Sequence, residues 1–147
     1  RIAQLTMKTN QFNLTTNRYT EEEIKKMAED PTFLIKTFSV SDKFGENGLT
    51  GLYIIKKENS EKWIIDSFLM SCRIMGRNIE QVMIDDLIKE AKKFQVKKIH
   101  AKYIPTNKNI ITKDLYQNFK FKKINDEFIL ENFQNLNFDV KYIEIQK

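Results

Sequence analysis

Asp66-Ser67-Phe68-Leu69-Met70-Ser71-Cys72-Arg73-Ile74-Met75-Gly76-Arg77-Asn78 is the stretch on which the fold turns. Its first half closes a segment, Lys62 to Ser71, dense in Ile, Trp and Phe, which reads as a strand. Beyond Asn78, the residues Ile79, Met83, Leu87, Ala91 and Phe94 recur at near-helical spacing. Asn78 and Gln81 stand where the start of that helix needs capping groups. A strand, a tight loop and a helix start together turn free N–H groups and the positive end of the helix dipole outward, which suits an anion. Gly76 admits a close backbone approach. Arg73 and Arg77 supply charge-assisted contacts. The same residues also make an ordinary turn with surface charge.

Upstream of this stretch, Thr20 and Glu23 have capping-box spacing, with Tyr19 and Ile24 placed as a hydrophobic staple. Glu21, Glu22 and Glu23 suit the positive end of that helix, and Pro31 marks where it has ended. Strands are expected over Leu34 to Val40 and Leu49 to Lys57, the latter joined to Lys62 by a polar hairpin connection. Downstream, Lys98 to Tyr103 alternates with Ile99, Ala101 and Tyr103 on one face. A turn at Pro105, a short helix around Lys113 to Phe119, and strands near Phe121 to Ile124 and Phe138 to Ile145 complete the reading. The order predicts an α/β fold, a mixed central sheet flanked by helices. Residues 1–17 are polar and weakly periodic and read as a lead-in from a preceding domain, with 18–147 as the domain itself. The opening Arg1 is consistent with a piece of a longer or processed chain.

Composition narrows the function classes. With 147 residues, 41% hydrophobic and 11 of them Phe, the chain can bury a core of one domain's size. The net charge of +5 favours an acidic partner or a phosphorylated ligand. The charges are interspersed with no dense basic run, which speaks against nucleic acid. No apolar run approaches the length of a membrane span, and no signal peptide is visible. Cys72 is the single cysteine, so no internal disulfide forms and a reducing cytoplasmic setting is the simplest expectation.

Two partial motifs resemble those of GNAT acyltransferases. Arg73-Ile74-Met75-Gly76-Arg77-Asn78 is similar to their Arg/Gln-x-x-Gly-x-Gly/Ala loop, with Asn78 at the last small position. Asn109, Leu115, Tyr116 and Phe121 match the pattern Asn-x-x-Ala-x-x-Leu-Tyr-x-x-x-Gly-Phe, in which Thr112 and Lys120 replace Ala and Gly. The resemblance implies that the loop, with Arg73, Met75, Gly76, Arg77 and Asn78, cradles phosphate. It implies too that the strand before it, Asp66 through Leu69, Met70 and Ser71, pairs through its backbone with a pantetheine arm. The cofactor implied is coenzyme A or a carrier-bound phosphopantetheine. Asn109 and Tyr116 would flank the thiol end, with Tyr116 as general acid for the leaving thiolate. Tyr116 also reads as a core aromatic beside Leu115 and Phe119.

A longer resemblance joins Lys8 to Thr16, Asp42 to Gly48, Ser71 to Arg77 and Tyr103 to Asn109 to the C-terminal half of FkbH-like proteins. Those proteins couple a HAD-type phosphatase to a GNAT-like domain. The partners implied are an acyl carrier protein or acyl-coenzyme A and an N-terminal HAD-type domain, with a glyceryl or related acyl group transferred. No Asp-x-Asp motif of the HAD kind occurs, so that chemistry is not assigned to this chain. A non-catalytic carrier-docking domain, or a purely structural one, is the alternative.

Further residues carry chemistry of their own. Cys72, beside a helix start and Arg73, suits a thiolate that holds an acyl group as thioester, or else a small buried hydrophobe. Asp66 suits an acidic base for an acceptor, or a carboxylate paired because burial demands it. His100, the sole histidine, falls on the polar side of its strand and is expected to be exposed; alone it makes no metal site. Asp42, Glu46 and Asn47 around Gly45 read as a turn rather than a cation loop.

Overall fold

The structure, a computed structural model, describes residues 2–9, 12–42, 45–71, 79–134 and 136. The expected strand at Phe138 to Ile145 and the loop from Cys72 to Asn78 lie outside the described residues. Two helices open the chain, α1 (Ile2–Lys8) and α2 (Glu21–Glu29). The antiparallel strands β1 (Phe33–Asp42), β2 (Gly45–Lys57) and β3 (Lys62–Met70) follow. Helix α3 (Ile79–Lys93) crosses over to β4 (Lys98–Ala101), which is parallel to β3. A 3-10 turn at Ile110–Thr112 and the short helix α4 (Leu115–Asn118) lead to the hairpin β5 (Lys122–Ile124) and β6 (Glu127–Glu131). The strand order is β1-β2-β3-β4-β6-β5, a mixed sheet with helices on both faces, as the sequence predicts.

Alternation along the strands divides the core in two. Tyr53 and Ile55 of β2, with Trp63, Ile65, Phe68 and Met70 of β3, join Met83, Leu87 and Ala91 of α3 in the larger cluster. Leu52, Ile54 and Leu69 point the other way, to Ile24 of α2 and to partly buried Ile2, Ala3 and Leu5 of α1. Helix α3 approaches the sheet closely at Gly51, where a Cβ would stand 3.0 Å from the Met83 sulfur. The start of α2 is built as expected. Thr20 Oγ1 accepts from the Glu23 N–H at 3.2 Å, Glu23 Oε1 accepts from the Thr20 N–H at 3.0 Å, and Tyr19 packs against the cluster that holds Ile24, Leu52, Ile54 and Leu69.

Three elements differ from the sequence reading. The described part of residues 1–17, weakly periodic in sequence, forms α1 and then a strap, Phe12 to Thr15, all four residues buried. Phe94 lies past the end of α3 and is 49% exposed, its ring resting on Trp63 at 5.8 Å, because the helix closes at Lys93 before the stripe turns back to the sheet. The closing hairpin turns at Asn125 (φ 57°) and Asp126, and its second strand, β6, carries Phe128 and Leu130 into the core.

Candidate active site

The site is set by one extra residue. β3 pairs with β2 as Ile55↔Ile65 and then as Ile54↔Ser67, so Asp66 is a bulge with no partner of its own. On the other edge, pairing with β4 ends at Ile65↔Ala101. A bulge bends its strand and raises the local twist, and β3 parts from β4 at that residue.

The strap fills the opening. Leu14 N–H donates to the Phe68 carbonyl at 3.2 Å, and Met70 N–H donates to the Phe12 carbonyl at 3.0 Å. Thr15 Oγ1 and Asn17 Nδ2 both donate to the Asp66 carbonyl at 2.8 Å. On its far side, Ile104 N–H donates to the Leu14 carbonyl at 2.8 Å, and Asn109 Nδ2 donates to the Asn13 carbonyl at 2.9 Å. The strap is therefore a short strand wedged between β3 and the segment after β4. Phe12 and Leu14 seal it into the larger core, at 7% and 0% exposure.

Several predicted site residues take part in this arrangement. Leu69 and Met70 are fully buried, the Met70 N–H is spent on the strap, and the Ser71 N–H donates to the Thr50 carbonyl at 2.6 Å. The β3 edge expected to pair with a pantetheine arm is thus already paired with the chain itself. Asn109, expected beside a thiol, is 0% exposed and spends its whole amide on structure. Its Nδ2 donates to the Asn13 and Ile104 carbonyls, and its Oδ1 accepts from Tyr103 Oη at 3.1 Å and the Thr106 N–H at 2.8 Å. Both Nδ2 protons are thus used, and Oδ1 is held by the Thr106 N–H and by the Tyr103 proton, which it shares with the Asn109 backbone carbonyl at 3.0 Å. Cys72, Arg73, Met75, Gly76, Arg77 and Asn78 lie outside the described residues.

Tyr116 is 1% exposed, between Phe121 (5.2 Å) and Phe128 (5.5 Å), and its hydroxyl has no hydrogen-bond partner among the described residues. Burial drives its pKa far above the ordinary tyrosine value, so the group stays protonated. A buried donor left unmade costs about 1–3 kcal/mol. Such a group suits either a proton donor awaiting its acceptor or a core ring with a tolerated defect. At the cap of α4, Lys120 adopts φ 74°, the left-handed conformation that glycine favours, so the turn of the resembling pattern forms without its glycine.

Asp66 and His100 meet at one cavity. Asp66 Oδ2 accepts from Tyr19 Oη at 2.6 Å and from Ser67 Oγ at 2.9 Å. Desolvation first, and then Asp66 itself, raises the Tyr19 pKa, so the phenol remains the donor. His100, expected to be exposed, has a side chain only 16% exposed, because Glu127 of β6 reaches its Nδ1 at 2.8 Å. That hydrogen bond holds the Glu127 carboxyl below the usual range. A cavity of about 290 Å³ is lined by Asp66, His100, Lys102 and Glu127, with Thr15 and Asn17 from the strap. A larger hollow of about 610 Å³ lies between Tyr103, Pro105, Lys113, Gln117 and Phe128. No group of three metal-ligating side chains exists among the described residues, and no described helix is long and apolar enough to cross a membrane. The strap and the Glu127 contact were not foreseen. The signals available were short alternations, Phe12-Asn13-Leu14-Thr15 and Glu127-Phe128-Ile129-Leu130.

No protein-family model matches the chain, and no curated protein matches it. Solved structures do. The Escherichia coli ribosomal-protein-S18-alanine N-acetyltransferase superposes with a TM-score of 0.65 at 11% identity, over 98% of this chain and 91% of that one. A Mycobacterium tuberculosis protein solved in complex with CoA and NLQ gives 0.63 at 14% identity, over 84% of this chain and 65% of that one. An aminoglycoside 6'-N-acetyltransferase complexed with coenzyme A gives 0.57 at 12% identity, over 76% and 79%. The fold is that of the GNAT acetyltransferases.

Proposed function

We propose that this domain transfers an acyl group from a thioester to a small acceptor held beside Asp66. The thioester is carried on coenzyme A or on the phosphopantetheine arm of an acyl carrier protein. The observation that carries the reading is the parting of β3 from β4 at the Asp66 bulge, in a fold shared with acetyltransferases. A carboxylate and an imidazole stand at that point, on the cavity wall.

In this reading the loop from Cys72 to Asn78 holds phosphate, and Tyr116 protonates the departing sulfur. Cys72 relays the acyl group as a thioester. Seated as it is, the strap keeps the arm off the β3 edge. Unseating it exposes Phe12 and Leu14, about 1.5–3 kcal/mol each, and breaks several hydrogen bonds of about 1 kcal/mol each. A micromolar association supplies only about 8 kcal/mol in all. The arm therefore enters at the loop and meets the strap end-on, without running along Leu69, Met70 and Ser71. The FkbH-like resemblance extends the proposal. The acyl group is a glyceryl or related unit, the partners are an acidic carrier protein and an N-terminal HAD-type domain, the setting is cytoplasmic, and the +5 charge attracts the carrier. A second reading, a carrier-docking domain without chemistry, is favoured by the filled β3 edge and by the structural duty of Asn109.

Calorimetric titration with coenzyme A, paired with thiol release from acetyl-coenzyme A, tests the proposal. Binding with release is the expected result, and Gly76→Asp weakens binding by about tenfold or more, the worth of one charge-assisted contact. Binding without release leaves the docking reading. No binding of either coenzyme A or a charged carrier protein removes both.

A further inference from the structure

We infer that His100, oriented by Glu127, is the proton acceptor of the acceptor pocket, and that Asp66 holds the acceptor without serving as its base. The inference rests on the acyl-transfer reading and names the acceptor class, a small molecule with a neutral hydroxyl or amine. An ionised carboxylate only accepts hydrogen bonds, so the 2.8 Å contact with Glu127 Oε2 fixes a proton on His100 Nδ1. That leaves the Nε2 lone pair as the basic position of the neutral ring. His100 lines the cavity of about 290 Å³, which has room for an acceptor of about ten heavy atoms.

Asp66 is differently placed. Two hydroxyls already donate to its Oδ2, from Tyr19 at 2.6 Å and Ser67 at 2.9 Å. Those two bonds hold Oδ2 in place, while Oδ1 has no protein hydrogen-bond partner among the described residues and is left to accept from a bound molecule. Asp66 thus accepts from the incoming nucleophile or a neighbouring group and fixes its position. The charged groups facing His100 around the cavity are Lys62 and Asp66 from β3, Lys102 beyond β4, and Glu127 from β6; the strap adds the uncharged Thr15 and Asn17. Two cations and two anions leave the pocket without a dominant sign, which suits a neutral nucleophile.

The step balances. The acceptor oxygen or nitrogen bonds to the acyl carbon and its proton passes to His100 Nε2. The carbon–sulfur bond breaks, and the thiolate takes a proton to leave as the thiol. His100 then returns its proton to solvent. Glu127 is a positioning residue, since it acts through the ring and not on the acceptor.

His100 is the only histidine, so the imidazole nitrogens give a single set of signals in a long-range proton–nitrogen spectrum. The expected spectrum is the Nδ1–H tautomer in the neutral ring, and Glu127→Gln turns it into a mixture. The Nε2–H tautomer in wild-type protein overturns the inference, whatever the protein's activity. The second readout is thiol release from acetyl-coenzyme A with glycerol, a neutral hydroxyl compound, as the probe acceptor. His100→Gln should lower kcat/KM by about 100-fold or more and abolish the rise of rate with pH. In His100→Ala, added imidazole should restore part of the rate, whereas Asp66→Asn should raise KM and keep the pH rise. A full rate with an intact pH rise in His100→Gln overturns the inference. An inactive wild-type protein counts against the acyl-transfer reading instead, and the tautomer measurement then decides the geometry alone.

Discussion

The two halves of β3 have the same neighbour on one side and different neighbours on the other. Both pair with β2, but Lys62 to Ile65 pairs with β4, and Asp66 to Met70 pairs with the strap. The first half is an ordinary parallel ladder between strands fixed by a helical crossover. The second half exists because the Asp66 bulge turned the strand away and left an edge that needed covering. The chain covered it with a segment from some fifty residues upstream, joined side on by the fully spent amide of Asn109. One inserted residue thus creates both the pocket, at the bulge, and the plug beside it.

The comparison breaks most severely at Asn109. Asn109→Ala strands the Asn13 and Ile104 carbonyls and the Thr106 N–H, while the Tyr103 hydroxyl keeps its bond to the Asn109 backbone carbonyl. The Asn13 carbonyl is buried and costs about 1–3 kcal/mol, and the Ile104 and Thr106 groups, on exposed residues, cost less each, so a loss of about 3–4 kcal/mol is expected. Urea unfolding should place it among the most damaging single changes. Next in size are hydrophobic truncations in each half. Leu14→Ala, at 0% exposure, should cost about 3 kcal/mol. Ile64→Ala, on the half-buried face of the paired segment, should cost under about 1.5 kcal/mol. Equal losses at the two sites mean the strap is no more a part of the core than that face is.

Tyr116→Phe separates chemistry from packing. Removing a hydroxyl with no hydrogen-bond partner among the described residues should leave stability unchanged or raise it by about 1 kcal/mol. Turnover should fall, and unchanged turnover would return Tyr116 to the core. The pH dependence of stability sharpens the pocket end. Because the Glu127 pKa is lowered in the folded protein, its contribution is complete above the ordinary Glu value and is lost as pH falls through the lower folded one. Glu127→Gln should therefore flatten the acid side of the stability profile, and an identical profile means the His100 contact is absent in solution. The smallest effect is expected at Lys120→Gly, which relieves a left-handed residue and should stabilise by at most about 1 kcal/mol in the same unfolding assay.

What was readable beforehand follows the reach of each interaction. Thr20 and Glu23 are three residues apart and formed the predicted capping box, and the alternating strands and the α3 stripe appeared near their expected bounds. Phe12 and Leu14 show a strand's alternation over only four residues, and their partners, Phe68 and Ile104, are far along the chain. No local rule pairs them. His100 read as exposed because its strand alternates correctly. The burial comes from Glu127, on a strand of only five residues, too short for its alternation to stand out in the sequence. The candidate residues of the loop fall on Cys72 to Asn78, so their roles rest on the proposal and its titrations.

The most direct test is amide hydrogen exchange at Leu14 and Met70, the two strap bonds on β3, with and without saturating coenzyme A. If the strap is a fixed strand and the arm stops at it, both amides stay as protected as Ile65 on the paired half, with ligand or without. Acceleration at Leu14 on adding coenzyme A, with Met70 still protected by a new carbonyl, would mean the arm has taken the strap's place along β3. That result contradicts the account.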